Sequence, residues 1–412
     1  MIFIRIVFLL IFFVASSVFA QERPIAVKGA TIYTVTKGII VNGTIIFQNG
    51  KIKDIGNDLK LSKDVEVVDG TGRVVIPGLV ETHSHLGLYS YPEIEANSEG
   101  NEATDPITPQ LRVIDAFNSK DPAIKLALSG GVTTVFCVPG SANVIGGQGA
   151  AFKLWGKTAE EMLIPNSSAM KMAFGENPKR VYGHRNQQPE SRMGVAATLR
   201  EAFTKANNYT RKWETWVKSD KSEAPPDKDL ALEALVKVLR REIPVQVHCH
   251  RADDIMTIFR LSDEFKFDLQ MLIHCTEGYN VADEIAKRKV PVTVFATLGG
   301  GGKQENQDMV LENAAFLYKA GVKVAIHNDH PAIEDRYLLY SAAIAEKYGL
   351  PAQEALKAIT INAAEILRLD KQIGSLEKGK DADVVVLSGD PFDIQSRVER
   401  VYVNGNLAYE AD

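Results

Sequence analysis

At 412 residues, with a formal net charge of -5 and 24% charged side chains, the chain is longer than one hydrophobic core usually supports and ordinary in composition. It has no basic excess and no arginine-rich run, which argues against a nucleic-acid partner. Its three cysteines, Cys137, Cys249 and Cys275, have no framework spacing and exclude a disulfide scaffold.

The first twenty residues, MIFIRIVFLLIFFVASSVFA, carry Arg5, a continuous apolar run, and Val18 and Ala20 at the small-residue positions before a cut. Residues 1–20 are therefore expected to be a cleaved secretory signal, with the mature chain starting near Gln21 and exported to a periplasm or medium without a stable membrane anchor. An uncleaved anchor is the alternative, disfavoured by the shortness of the run and its cleavage-like end.

From residue 25 to about residue 75 come short β-branched runs, ATIYTV, TIIFQNGKIKDIG and VEVVDGTG, with a hairpin signal at Asn49-Gly50. The last stretch has the same texture, ADVVVLSGDP and RVERVYVNGNLAYE, around Asn404-Gly405. Between these ends, strand-like runs (GVTTVFCVPG, SAMKMAFGEN, VPVQVHCH, FDLQMLIHC, VPVTVFAT, VKVAIHND) alternate with helical patterns. Such alternation over roughly three hundred residues predicts an α/β fold with parallel strands, fitting a (β/α)8 barrel. A doubly wound sheet would want a glycine-rich phosphate signature after its first strand, and VETHSHLG is not one. Residues 177–243 read as polar and helical, with KSDKSEAPPDKD as a surface loop, and LGGGGKQENQD as an active-site loop or plain linkage.

Seven of the eight histidines fall at downstream ends of predicted strands: His83, His85, His248, His250, His274, His327 and His330. In a barrel, that is where the loops assemble a site. Strand period two sorts the faces. In VPVQVHCH, Val245, Val247 and Cys249 suit the helix layer, leaving Gln246, His248 and His250 inward. In MLIHC, Met271, Ile273 and Cys275 are assigned outward and His274 inward; in VKVAIHND, Val322, Val324 and Ile326 outward, with His327 and Asp329 inward. Imidazoles with a carboxylate suit zinc or a similar divalent cation, and Asp329 is suited to take and return a water's proton.

The segments VIPGLVETHSH, the strand-end histidines His248 and His274, Asp329 in HNDHP, and the ending IGSLEKGKDADVVVLSGDP together resemble the amidohydrolase superfamily, nearest its imidazolonepropionase-like and prolidase-like dipeptidase branch. The resemblance implies a metal-bearing barrel over residues 76–370 and a composite β-sandwich from residues 21–75 and 371–412. It implies one or two divalent ions, zinc first, with His83, His85, His248 and His274 as ligands and Asp329 as ligand and general acid/base. The fourth-strand ligand in such proteins is a carboxylated lysine or a glutamate. Parity favours Lys171, because facing it inward leaves Met170, Met172 and Phe174 toward the helices; a bulge at Gly175 would admit Glu176 instead. Lys153 is a weaker third candidate, with a snorkelling surface role as its plain reading. His250 and His327 are expected beside the ligands, contacting substrate or orienting a ligand. Arg180, Tyr182, Arg185, Arg192 and Arg251 are candidates to grip a substrate carboxylate.

The expected activity is that of an exported, metal-dependent hydrolase cleaving an amide-type C–N bond, in a dipeptide, an N-acyl amino acid or a cyclic amide, with metal-activated water. A ring-amine deaminase is the alternative, weakened by the absence of a glutamate in HCHRADD; a silent binding barrel is the other. Partners are expected to be small molecules or dipeptides, with homo-oligomerisation left open.

Overall fold

The computed structural model describes residues 23–295 and 303–412. The expected signal segment and the glycine run up to Gly302 lie outside them, and no described helix is long and apolar enough to cross a membrane. The strands, in chain order, are β1 (Ile25–Tyr33), β2 (Ile39–Gln48), β3 (Lys51–Gly56), β4 (Glu66–Asp69), β5 (Val74–Pro77), β6 (Leu79–Ser84), β7 (Val132–Cys137) and β8 (Ile145–Lys153). They continue as β9 (Ala169–Ala173), β10 (Val245–Cys249), β11 (Leu269–His274), β12 (Val292–Phe295), β13 (Val324–His327), β14 (Val384–Leu387), β15 (Val398–Val403) and β16 (Asn406–Glu410).

Both chain ends share one sheet, ordered β16-β15-β14-β5-β1-β2-β3, with β4 branching from β1. Where a sandwich was expected, the hydrogen-bond ladder is thus a single branched sheet. The two hairpin signals form as read: Asn49 and Gly50 (φ 52° and 73°) join β2 to β3, and Asn404 and Gly405 (φ 48° and 75°) join β15 to β16. From β5 the chain passes through Gly78 alone into β6. A Cβ at Gly78 would lie 2.1 Å from Thr133 Oγ1, so only glycine lets the two strands follow so closely.

The second sheet runs β6-β7-β8-β9-β10-β11-β12-β13 and curls into a nearly closed barrel. It departs from the all-parallel expectation at β8, which is antiparallel to both β7 and β9. The connection 138–144 is too short for a parallel crossover, which needs a dozen or more residues. The three glycines in IGGQGAAFK, poor strand formers, hid this strand from the sequence reading.

Val245, Val247, Val324 and Ile326 pack outward into the helix layer as parity required, and Val292 and Val294 join them. On β11 the parity is reversed. Met271 and Ile273 join Val80, Phe136, Ala169 and Ala325 in the barrel interior, while Leu272 faces the helices. The cause is a register break beside Gln270, since Val245 pairs with Leu269 but Gln246 with Met271. The polar segment 177–243 is helical as expected, over Glu176–Gly183, Arg192–Lys218 and Leu230–Leu239.

Lys153 is buried, not a snorkelling surface residue. Its ammonium pairs with Asp383 and, at 3.0 Å, with Asp381, tying β8 to the segment that leads into β14. This rules it out as the bridging ligand. Lys153→Met should leave the buried Asp383 carboxylate without its cation, Asp381 keeping Lys51, and cost about 3–5 kcal/mol, measured by chemical denaturation.

Candidate metal centre

Strands β6, β10, β11 and β13 deliver their histidines to one place. Ring centroids lie 5.1 Å apart for His83 and His85, 5.3 Å for His83 and His274, 4.5 Å for His248 and His274, and 4.8 Å for His274 and His327. His250 stacks on His274 at 4.8 Å with the rings 6° from parallel. Asp329 brings Oδ1 to 3.1 Å from His83 Nε2 and 3.2 Å from His85 Nε2, and Oδ2 to 4.0 Å from His274 Nε2. His274, Cys275 and Asp329 hold left-handed backbone (φ 70°, 45° and 59°), which non-glycine residues adopt at a cost. At His274 this turn brings the imidazole back to the interior after the β11 register break.

Both ring nitrogens of His83, His248 and His327, the Nε2 of His250 and His274, and Asp329 Oδ1 are buried without a hydrogen-bond partner. A buried unpaired polar atom costs about 1–3 kcal/mol, and since each neutral ring offers one lone pair, a cation among them would satisfy several of these atoms at once. Two triads bring ligand atoms within 4.8 Å of one another: His83, His274 and Asp329; and His248, His250 and His274. The donors therefore fit a divalent ion such as zinc.

Protonation states suit that role. Burial holds the imidazoles of His83, His248 and His274 well below the usual histidine range, that of His327 at about 4 and that of His250 at about 3. Burial alone would raise the Asp329 carboxyl, but His83, His85 and His274 outweigh it and hold it well below the usual carboxylate range. At neutral pH the centre is thus neutral imidazole and anionic carboxylate, the forms that bind metal. His85 Nδ1 lies 2.7 Å from the Val138 carbonyl and donates to it, which leaves its Nε2 lone pair toward Asp329.

Lys171 is fully buried, and its ammonium donates to Ser141 Oγ at 2.7 Å. Burial lowers its pKa to about 7, with the Asp329 charge opposing and Lys303 assisting. Met170, Met172 and Phe174 pack outward, as the parity argument required. Glu176 opens the helix Glu176–Gly183, half-buried, with its backbone N–H on Glu305, and neither triad includes it.

The basic candidates have other engagements. Arg251 chelates Asp253 at 2.9 and 2.7 Å, Arg185 donates to the Ala103 carbonyl, and Arg180 is exposed. Tyr182 is buried, its hydroxyl donating to Asn143 at 2.6 Å. Arg192 bridges Asp254 (3.0 Å) and Glu305 (3.2 Å). Four of these five side chains thus bond to the protein's own groups, while Arg180 faces solvent.

Two carboxylates escaped the sequence reading. Glu305 is buried in the loop after β12, with Oε1 3.8 Å from His250 Nε2. Its signal was a lone glutamate in a glycine-rich loop, which nothing local distinguishes from a surface one. Glu81 lies in the opening motif itself. It is fully buried and accepts from the backbone N–H of His83 at 3.0 Å and of Asn328 at 2.8 Å, bridging β6 to the end of β13 where no strand ladder closes the barrel. Burial and the neighbouring Asp335 push its carboxyl well above the usual range.

A solved amidohydrolase from Thermotoga maritima MSB8 matches this structure with a TM-score of 0.90 and 44% identity over 94% of this chain and 100% of that one. The amidohydrolase family profile matches residues 167–409. The chain belongs to the amidohydrolase family. Among curated relatives, "Amidohydrolase tasK" of Hapsidospora irregularis is 31% identical over 89% of this chain, which spans only 40% of that protein. The imidazolonepropionase of Thermoplasma volcanium is 25% identical over 90% of this chain and 91% of its own.

Glu81 offers a test of how the centre is held. In Glu81→Gln one backbone N–H meets an amide NH2 in place of an acceptor oxygen. The substitution should lower stability by about 1–3 kcal/mol in urea denaturation.

Proposed function

We propose that the protein is an exported, metal-dependent hydrolase that cleaves an amide-type C–N bond of a dipeptide, an N-acyl amino acid or a cyclic amide. The observation that carries this reading is the convergence of partnerless imidazole nitrogens on Asp329. His83, His85 and Asp329 would hold one ion; His248 and His274, with Lys171 carboxylated as the resemblance implies, would hold a second. When bound, a divalent ion supplies the Lewis acidity that brings a water's pKa toward neutrality and polarises a carbonyl.

The chain's own residues do the rest. Asp329, with Oδ1 facing His83 and His85 and its side chain 23% exposed, is anionic at neutral pH and open to reactants. It takes the proton of the attacking water and returns it to the departing nitrogen. The buried imidazoles stay neutral and exclude solvent. Lys171, with an amine half-neutral near pH 7, is able to react with carbon dioxide where an ordinary lysine is not. Export is supported by the leader-like residues 1–20. The imidazolonepropionase name of one relative directs a substrate screen to cyclic amides as well as acylated amino acids.

Asp329→Asn should lower kcat by about 10²–10⁴-fold with the fold retained by circular dichroism; near-native turnover on the best substrate would remove its acid/base role. The screen itself reads the chemistry. A new amine and carboxylate support the hydrolase, whereas ammonia released from a ring amine moves the protein to the deaminase reading. Because protons compete with the ion for the same lone pairs, lowered imidazole pKa values delay that competition to lower pH. Bound zinc at fixed free zinc should stay level from pH 8 to about 6, where an ordinary imidazole of pKa ≈ 6.5 is already mostly protonated, and fall only below that.

A further inference from the structure

On the side of His274 away from Asp329, the structure holds a second set of donors that the resemblance does not assign. His250 Nδ1 lies 2.7 Å from Thr276 Oγ1, so its other nitrogen, Nε2, is left to face Glu305 Oε1 at 3.8 Å. Both atoms are buried and have no hydrogen-bond partner. The separation is too long for a hydrogen bond and close to the ~3.4 Å between two ligands of one tetrahedral zinc with bonds of about 2.1 Å.

The carboxylate is held in this attitude from behind. Glu305 Oε2 accepts from the Glu176 N–H at 2.9 Å and from Arg192 at 3.2 Å, and Arg192 is itself braced by Asp254 at 3.0 Å. Gly175, with φ 88°, makes room, since a Cβ there would come within 2.6 Å of Glu305 Oε2. Oε1 is thereby left pointing at His250. The parallel rings of His250 and His274, with His248 beside them at 4.8 and 4.5 Å, form a triad of imidazoles, which Glu305 approaches through His250.

We infer that His250 and Glu305, with His248 and His274, form the position of a second divalent cation of the zinc type, so that the second ion depends on these two residues rather than on Lys171. The inference rests on the metal-dependent reading above and deepens it. Three nitrogens and one oxygen are a donor set that zinc accepts in tetrahedral geometry. Arg192 takes the role of an outer partner that orients the carboxylate without touching the ion.

The test is metal binding, not turnover. Full-chain protein stripped with dipicolinate is dialysed against buffered free zinc, and zinc per chain is counted by elemental mass spectrometry for the wild type, His250→Asn, Glu305→Gln and Lys171→Ala. Cobalt(II) absorption of the same samples gives an independent view of the coordination. The expected result is two ions in the wild type and in Lys171→Ala. His250→Asn and Glu305→Gln should each lose one, its affinity weakened by at least about 100-fold, beyond the 10–100-fold cost of losing an outer partner. Retention of the other ion reports that the fold survives. Two ions in both His250→Asn and Glu305→Gln, or loss of the second ion in Lys171→Ala alone, overturns the inference and leaves the hydrolase reading standing. A wild type that binds one ion also overturns it. No ion in any protein, after reconstitution with zinc or manganese, removes the metal-dependent reading and this site with it.

Discussion

The structure is organised around lone pairs that have been taken out of water without being given a partner. His83, His248, His274 and His327 sit at strand ends where backbone bonding is already complete, so their rings have no local use. A cation joining them would offset their desolvation, and such a centre fixes much else. It requires imidazoles kept neutral by burial, a carboxylate kept anionic among them, and residues 274, 275 and 329 held in a backbone conformation that side chains disfavour. The apolar barrel floor of Val80, Phe136, Met271 and Ile273 keeps solvent from reaching those rings from below.

Holding such a centre falls to polar atoms as much as to apolar packing. The ladder between β6 and β13 is missing, and the side chain of Glu81 spans that seam to two backbone donors on either side of it. His85 N–H adds a bond to the His330 carbonyl at 3.0 Å. The first and last strands of the barrel are therefore joined at the level of the ligands themselves, so positional error at the seam would be felt directly by His83 and Asp329.

What the sequence made legible was local and periodic. Strict alternation on β10 and β13 revealed the inward faces of His248 and His327, and paired Asn-Gly turns announced both hairpins. What it concealed was non-local. The β11 break that reverses Met271 and Ile273 depends on a neighbouring strand's register, and β8 carries glycines that suppress its own signal. Glu81 and Glu305 look like ordinary acidic residues until the fold surrounds them. Of the arginines in the 177–192 segment, Arg185 and Arg192 bond to a carbonyl and to carboxylates of the protein, partners that sequence spacing does not reveal.

The ion pairs of Lys153 have a temporal consequence. Asp381 and Asp383 follow every strand of the barrel in sequence, and β14 is the strand that joins β5 to β15 in the other sheet. A nascent chain lacking them would have an ammonium group at the foot of its barrel with no counter-charge and a sheet still divided in two. Completion of the fold is thus deferred until residues well past the last barrel strand have been made, which guards an apolar, ligand-rich interior against closing before its counter-charges arrive.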